Sequence, residues 1–179
     1  AVRNRGTIGG SIAFADPAAE LPACIVALQA NLIAQGSKGE RKIPATEFFR
    51  GLYETALASD EVLTAIELPV AADQQKFAFR ELARRHGDYA MVGVCAFTEW
   101  SEESLSEARL VYFNVDDQPV VAVQTAAALK GVLSSENLES ALEHLAEDLD
   151  PLSDLNADPS MRLHLAKVLT QRIFQEWMP

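Results

Sequence analysis

Few residues of this chain have the types and spacing to do chemistry, and the first of them stand near its start. Gly6-Thr7-Ile8-Gly9-Gly10-Ser11 sets adjacent glycines between two hydroxyl side chains. Glycine backbone can take positive φ and approach a ligand closely, with its amide N–H groups turned outward. A concavity of such amides suits the oxygens of a pyrophosphate, and Thr7 and Ser11 would add hydroxyl donors. The spacing is neither GxGxxG nor a GK[ST] phosphate loop, so on spacing alone an ordinary turn is the competing reading. Asp16 and Glu20 come next. An Asp-Pro pair suits a helix cap, whereas Glu20 could accept hydrogen bonds from a polyol such as a ribityl chain. The local sequence leaves both roles open.

A second cluster, Arg80-Glu81-Leu82-Ala83-Arg84-Arg85-His86-Gly87-Asp88-Tyr89-Ala90, gathers cations beside a tyrosine. The ring could cover a flat cofactor while a cation faces its electron-rich atoms. The alternative is a strand edge and turn carrying solvated charges. His86, His144 and His164 are scattered, and Cys24 and Cys95 lie 71 positions apart with no CxxC spacing. These patterns offer no metal set, no iron–sulfur site and no nucleophilic triad, and the cysteine usage suits a reducing compartment.

The elements expected to position these residues begin with a turn and a short strand, Ser11–Ala15. Pro17 and Pro22 are each tolerated only in the first turn of a helix, so Pro22 starts a helix running to about Gln29. Strands are expected at Asn31–Gln35 and Arg41–Pro44 around the turn Gly36-Ser37-Lys38-Gly39, then a helical turn at Thr46–Arg50 and a strand at Val62–Leu68. Residues 69–76 read as a linker. Lys76–Ala83, Tyr89–Trp100 and Ala108–Val115 follow as an antiparallel meander. A helix at Val120–Lys130 would end at Gly131. Ser134-Ser135-Glu136 caps a helix striped with Leu138, Ala141, Leu142, Leu145 and Leu149. A last helix from Pro159 is expected to bury Met161, Leu165, Val168, Leu169, Ile173 and Trp177. The second region therefore reads as three strands with three helices, an α+β layout.

At 179 residues and 49% hydrophobic, the chain can bury a real core. No apolar run is long enough to span a bilayer. The net charge of −11 is uneven: residues 1–90 carry 10 cationic and 11 anionic side chains, and residues 91–179 carry 5 and 15. An acidic second half repels phosphate backbones and argues against nucleic acid as a partner.

Taken together, the motifs resemble a known family. Asn4-Arg5-Gly6-Thr7-Ile8-Gly9-Gly10-Ser11 with Ala15-Asp16-Pro17-Ala18-Ala19-Glu20-Leu21-Pro22-Ala23 is similar to the signature of the FAD-binding medium subunits of molybdenum hydroxylases. That family includes aerobic carbon monoxide dehydrogenase and the flavin domain of xanthine dehydrogenase. Arg84-Arg85-His86-Gly87-Asp88-Tyr89-Ala90-Met91-Val92 resembles the start of its C-terminal domain. So does Asp150-Pro151-Leu152-Ser153-Asp154-Leu155-Asn156-Ala157 followed by Arg162 and Leu165. The resemblance spans essentially the whole chain in the family's order.

It implies an α+β fold: the second half of an FAD-binding (PCMH-type) domain over residues 1–70, then a C-terminal domain of a three-stranded antiparallel sheet and three helices over 71–179. It implies FAD as cofactor, with Thr7, Ile8, Gly9, Gly10 and Ser11 around the pyrophosphate and ribityl region. Glu20 stands where the family commonly has Asp on the polyol chain, Leu63 near the isoalloxazine, and Arg80 where relatives often have Lys close to the ring. Asp88 belongs with Tyr89, which matches an aromatic covering the isoalloxazine in the carbon monoxide dehydrogenase branch. Ser11 stands where many relatives have Asn. Partners would be an iron–sulfur small subunit and a molybdopterin large subunit in a cytoplasmic hetero-oligomer (a homodimer in isolation), with electrons passing through FAD to an external acceptor. The family's FAD domain begins upstream of this sequence with a second glycine-rich loop. A remnant that serves assembly without binding flavin is therefore the alternative expectation.

Overall fold

The computed structural model describes residues 4–85 and 87–178. Its elements run α1 (Ile8–Phe14), α2 (Glu20–Ala27), β1 (Asn31–Gly36), β2 (Gly39–Pro44), a 3-10 turn (Ala45–Glu47), β3 (Phe49–Gly51), β4 (Glu54–Thr55) and β5 (Val62–Glu67). They continue with β6 (Gln75–Ala83), β7 (Ala90–Ser101), β8 (Ser104–Phe113), β9 (Val120–Val121), α3 (Val123–Ala128), β10 (Gly131–Val132), α4 (Ser135–Glu143), α5 (Leu145–Asp148) and α6 (Pro159–Trp177). All strand pairs are antiparallel. The architecture is α+β, as expected.

The first sheet, ordered β2-β1-β5, is built on a hairpin in which Gly39 takes φ +106°, a conformation open mainly to glycine. The second sheet, ordered β10-β8-β7-β6 with β9 on β8, contains the meander. Its middle strands are covered on both faces, which explains why β7 reads as a continuous apolar run. Val92, Val94 and Ala96 of β7, with Leu110 and Tyr112 of β8, face a core closed by Leu138, Leu142, Leu169 and Phe174 of the helices. Ala90, Cys95, Val111 and Phe113 face the opposite way and join Ala23, Val26, Leu32 and Phe48 in a second core. The side-chain period of two therefore makes one sheet the shared wall of both cores.

Several expected elements differ. Ser11–Ala15 is not a strand but the body of α1, because Thr7 caps it: the Thr7 hydroxyl accepts from the Gly10 amide at 3.0 Å, and Ala15 ends it in the left-handed conformation. Gly9 and Gly10 are thus helical, without the positive φ of a glycine turn. α2 starts at Glu20, two residues before Pro22, whose missing N–H is not needed in a first turn. Asp16 does not cap α2; its carboxylate accepts from the Ala18 amide at 2.9 Å in a local turn. Val120–Val121 pairs with β8, leaving α3 only Val123–Ala128, and Gly131 at φ +107° opens β10.

The helix expected over 134–149 starts on Ser134 as read and breaks at His144 into α4 and α5. α6 starts on Pro159, with the Asp158 carboxylate capping Met161 at 2.8 Å. Its buried face is Arg162, Ala166, Leu169, Thr170, Ile173 and Phe174, one position round from the expected stripe, and Met161 is exposed. No helix among the described residues is long and apolar enough to cross a membrane.

Candidate functional site

α1 packs on β5 and on α2, which itself rests on β7 and β8, and the end of β6 with the 87–90 segment stands nearby. Between them runs a cleft in two compartments that share Leu21. The apolar compartment, about 480 Å³, is lined by Ile8, Gly9, Cys24, Leu28, Leu63 and Ile66 among others. The polar one, about 670 Å³, is lined by Ser11, Glu20, Glu81, Gly87, Asp88 and Tyr89. Seven residues singled out from sequence thus meet on one surface: Ile8, Gly9, Ser11, Glu20, Leu63, Asp88 and Tyr89. Thr7 and Gly10 lie at the start of α1 and are engaged with each other. Arg80 is elsewhere. Alternation along β6 turns it toward α6, where its guanidinium donates to Glu176 at 2.7 Å, on the opposite face of the strand from Glu81. His86 lies outside the described residues.

The same alternation puts Glu81 where Arg80 was expected. Its carboxyl is held above the usual range, first by burial and then by the charge of Glu20. Two carboxylates on facing walls favour a ligand portion rich in hydroxyl donors. Glu81 was missed from sequence, although the two-residue period of the strand could have identified it.

The start of α1 has the opposite character. Its first-turn amides at Ile8 and Gly9 have no carbonyl one turn earlier within the helix to bond, and no acidic side chain stands in that turn. The two glycines also differ. A Cβ on Gly10 would sit 2.8 Å from Thr7 Oγ1, so Gly10 is required by the cap. A Cβ on Gly9 would meet nothing within 4 Å. Gly9 is helical, yet glycine inside a helix costs about 1 kcal/mol relative to alanine. Nothing within the chain demands a glycine there. Its bare backbone faces the cleft.

Tyr89 is 66% exposed, and Phe14 and Tyr53, with ring centroids 4.9 Å apart, are also largely exposed. The Tyr89 phenol is held above its usual pKa, first by the charge of Asp16, then by burial and by Tyr53. The Tyr89 loop is held from below. Asp88 accepts the Tyr89 amide at 3.0 Å, and the Asn114 amide side chain donates to the Ala90 carbonyl. Arg162, almost fully buried, donates to the carbonyls of Met91 and Asn114 and pairs with Asp154 at 2.6 Å. From sequence Arg162 stands out only as part of a motif; the fold shows that it ties α6 to the strand that carries the loop. Among the described residues no group of three or more potential ligands could hold a metal.

Residues 1–71 match the family described as the FAD binding domain in molybdopterin dehydrogenase, and residues 77–177 match the CO dehydrogenase flavoprotein C-terminal domain. The glyceraldehyde dehydrogenase medium chain of Sulfolobus acidocaldarius is 33% identical over 98% of this chain and 62% of its own length. Caffeine dehydrogenase subunit beta of a Pseudomonas species is 34% identical over 96% and 59%. Among solved structures, the carbon monoxide dehydrogenase of Hydrogenophaga pseudoflava that lacks the Mo-pyranopterin moiety superposes with a TM-score of 0.91 at 34% identity, covering 96% of this chain and 60% of that one. Quinoline 2-oxidoreductase of Pseudomonas putida 86 gives 0.89 at 38% identity, over 98% and 61%. The chain thus spans about three-fifths of the length of these relatives.

Proposed function

Because the chain belongs to the FAD-binding medium-subunit family of molybdenum hydroxylases, we propose that its cleft holds FAD and that the protein is the flavin-bearing, electron-transferring part of such an oxidoreductase. The observation that carries this reading is Gly9, a helical glycine with open space over it and no partner in the chain to explain it. A side chain there would stand where the backbone has to approach phosphate oxygens.

In this reading Thr7, Ile8, Gly9, Gly10 and Ser11 form the phosphate-facing wall: Ile8 and Gly9 through their amides, Ser11 through its hydroxyl, and Thr7 and Gly10 through the cap that holds the turn in place. Glu20 and Glu81 accept hydrogen bonds from the polyol. Leu63 and its apolar neighbours receive the flat ring, with Asp88 holding the backbone of Tyr89 at the rim. FAD supplies the redox chemistry when bound, and the chain supplies position, charge and shielding from water. The acidic wall excludes anions from all but the amide end, which fixes the direction in which a phosphate-bearing ligand can enter. An iron–sulfur subunit and a molybdopterin subunit are the proposed partners, in the cytoplasm, with residues 1–70 and 71–179 as the two domains. The substrate of the whole enzyme is not chosen here. Relatives named for glyceraldehyde, caffeine and carbon monoxide are level at 33%, 34% and 31% identity, so overall similarity singles out no substrate class.

The test is flavin content of the purified protein with Gly9→Val. The variant is expected to lose most bound FAD while its thermal midpoint stays within about 1–2 °C of flavin-stripped wild type, since a Cβ at this position meets no atom of the chain and a helical glycine is removed. Wild-type flavin content in that variant refutes the site.

A further inference from the structure

We propose that Cys24 and Cys95 are a reversible redox site, a dithiol that closes into a disulfide joining α2 to β7 on the wall of the apolar compartment. The two sulfurs lie 3.6 Å apart although 71 positions separate them in the chain, and neither is bonded elsewhere. Cys24 is half-buried and lines the cleft, so a small reagent can reach it. Cys95 is 4% exposed behind it, in the second core. The sulfurs sit on a helix and a central strand, which hold them face to face. Closing from 3.6 Å to the bonded distance of about 2.05 Å is a matter of side-chain rotation plus a small shift. Packing alone does not call for this pair, because alanine or valine would fill the same interface without placing two nucleophiles in contact.

The asymmetry of the pair assigns the order of events. The Cys95 thiol can donate to a Cys24 thiolate, which favours ionisation of Cys24 over its buried partner; that hydrogen bond to Cys24, and then burial, hold Cys95 in the protonated form. The Glu20 carboxylate opposes charge on both sulfurs, and Glu81 on Cys95. An uncharged small-molecule disulfide is therefore the matching oxidant class, and an anionic one is disfavoured. The Cys24 thiolate attacks one sulfur of that disulfide, forming a mixed disulfide and expelling one thiolate. Cys95 then gives up its proton and attacks the Cys24 sulfur, forming the Cys24–Cys95 bond and expelling the second thiolate. Two protein thiols are oxidised and one disulfide is reduced to two thiols, which take up the two protons. The reaction does not depend on the cofactor assigned above.

The experiment is to treat the native protein with 2-hydroxyethyl disulfide, both as isolated and after bound nucleotide has been stripped. Peptide mapping and release of 2-mercaptoethanol are then followed. The expected result in at least one preparation is two equivalents of 2-mercaptoethanol released, a single cross-linked pair of peptides containing Cys24 and Cys95, and full reversal by dithiothreitol. Cys95→Ser should stop at a stable mixed disulfide on Cys24 with one equivalent released. Retention of both thiols in both preparations, while the urea-unfolded protein reacts completely, overturns the proposal. So does a wild-type reaction that stops at the mixed disulfide.

Discussion

Gly93→Ala offers a sharp test of how the sheet serves two cores. Gly93 lies in the middle of β7, opposite Phe113 of β8 and Glu81 of β6. The Phe113 ring folds over it, so a Cβ built there would clash with the outer end of the ring, far within contact of Cζ and Cε1 and 2.8 Å from Cε2. That ring is fully buried and stacked on Phe79, with centroids 5.7 Å apart, so it cannot swing aside without disturbing the second core. Overpacking of this kind typically costs about 1–3 kcal/mol, and a clash this severe with a buried ring puts this case near 3 kcal/mol. Phe113→Ala alone should cost about 3–5 kcal/mol as a large-to-small core change. If the clash is the mechanism, Gly93→Ala should cost almost nothing once Phe113 is alanine, because the obstructing ring is gone. The predicted coupling is then about 2–3 kcal/mol, measured by urea unfolding of the wild type, both single variants and the double variant. Equal cost of Gly93→Ala in both backgrounds refutes the reasoning, and would mean that the glycine serves the backbone and leaves room for no ring.

Other consequences are open to measurement. Tyr112 and Thr170 share a buried hydrogen bond of 2.5 Å, and the Thr170 hydroxyl also donates to the Ala166 carbonyl. Tyr112→Phe should cost about 1 kcal/mol and Thr170→Val more, about 2 kcal/mol, because the latter strands a buried phenol donor; the reverse order in denaturant midpoints would overturn the assignment. Arg162→Met should cost about 3 kcal/mol by stranding the Met91 and Asn114 carbonyls, and should loosen the Tyr89 loop, read as faster amide exchange at 87–91.

Acid sensitivity has named sources as well. Glu61 is held down to about 2, first by the hydrogen bond from Arg41 and then by the Ala58 amide. At Asp154 burial pushes upward, but the Ala157 and Asn156 amides and Arg162 outweigh it and bring the group to about 2. Depressed carboxylates stabilise the fold above their unfolded values near 4 and lose that contribution as pH falls toward 2. Urea midpoints taken from pH 5 to pH 2 should therefore fall less steeply for Glu61→Gln and Asp154→Asn than for wild type.

Strands were readable where alternation and turn residues agree. Asn31–Gly36 and Gly39–Pro44 form a hairpin whose second strand opens on a glycine with positive φ, and the meander follows from short polar connections. The start of the chain was misread because Ser-Ile-Ala-Phe-Ala alternates for five residues, too short a run to separate a strand from one helical turn. The deciding signal was Thr7 with its hydroxyl three residues ahead of the Gly10 amide, a cap that the glycines obscured. Val120–Lys130 failed for a different reason, since pairing with β8 is a tertiary choice that outweighs local helix preference. In the site, hydroxyls, carboxylates and the tyrosine could be named from sequence, but the face a β6 residue takes depends on register. That is why Glu81 replaces Arg80 in the cleft.

The shared sheet also bears on how such chains can be recombined. The stretch after β5 invites a crossover between relatives, since family boundaries fall there, at 71 and 77. The interior does not divide at that point: α2 residues such as Ala23 and Val26 rest on Cys95, Val111 and Phe113. A chimera joined in that stretch would mate a foreign helix with a native sheet and inherit mismatched volumes on the far wall. Exchangeable units in this lineage are therefore drawn by the α2–β7–β8 contact, and a viable hybrid must carry α2 together with the sheet it covers.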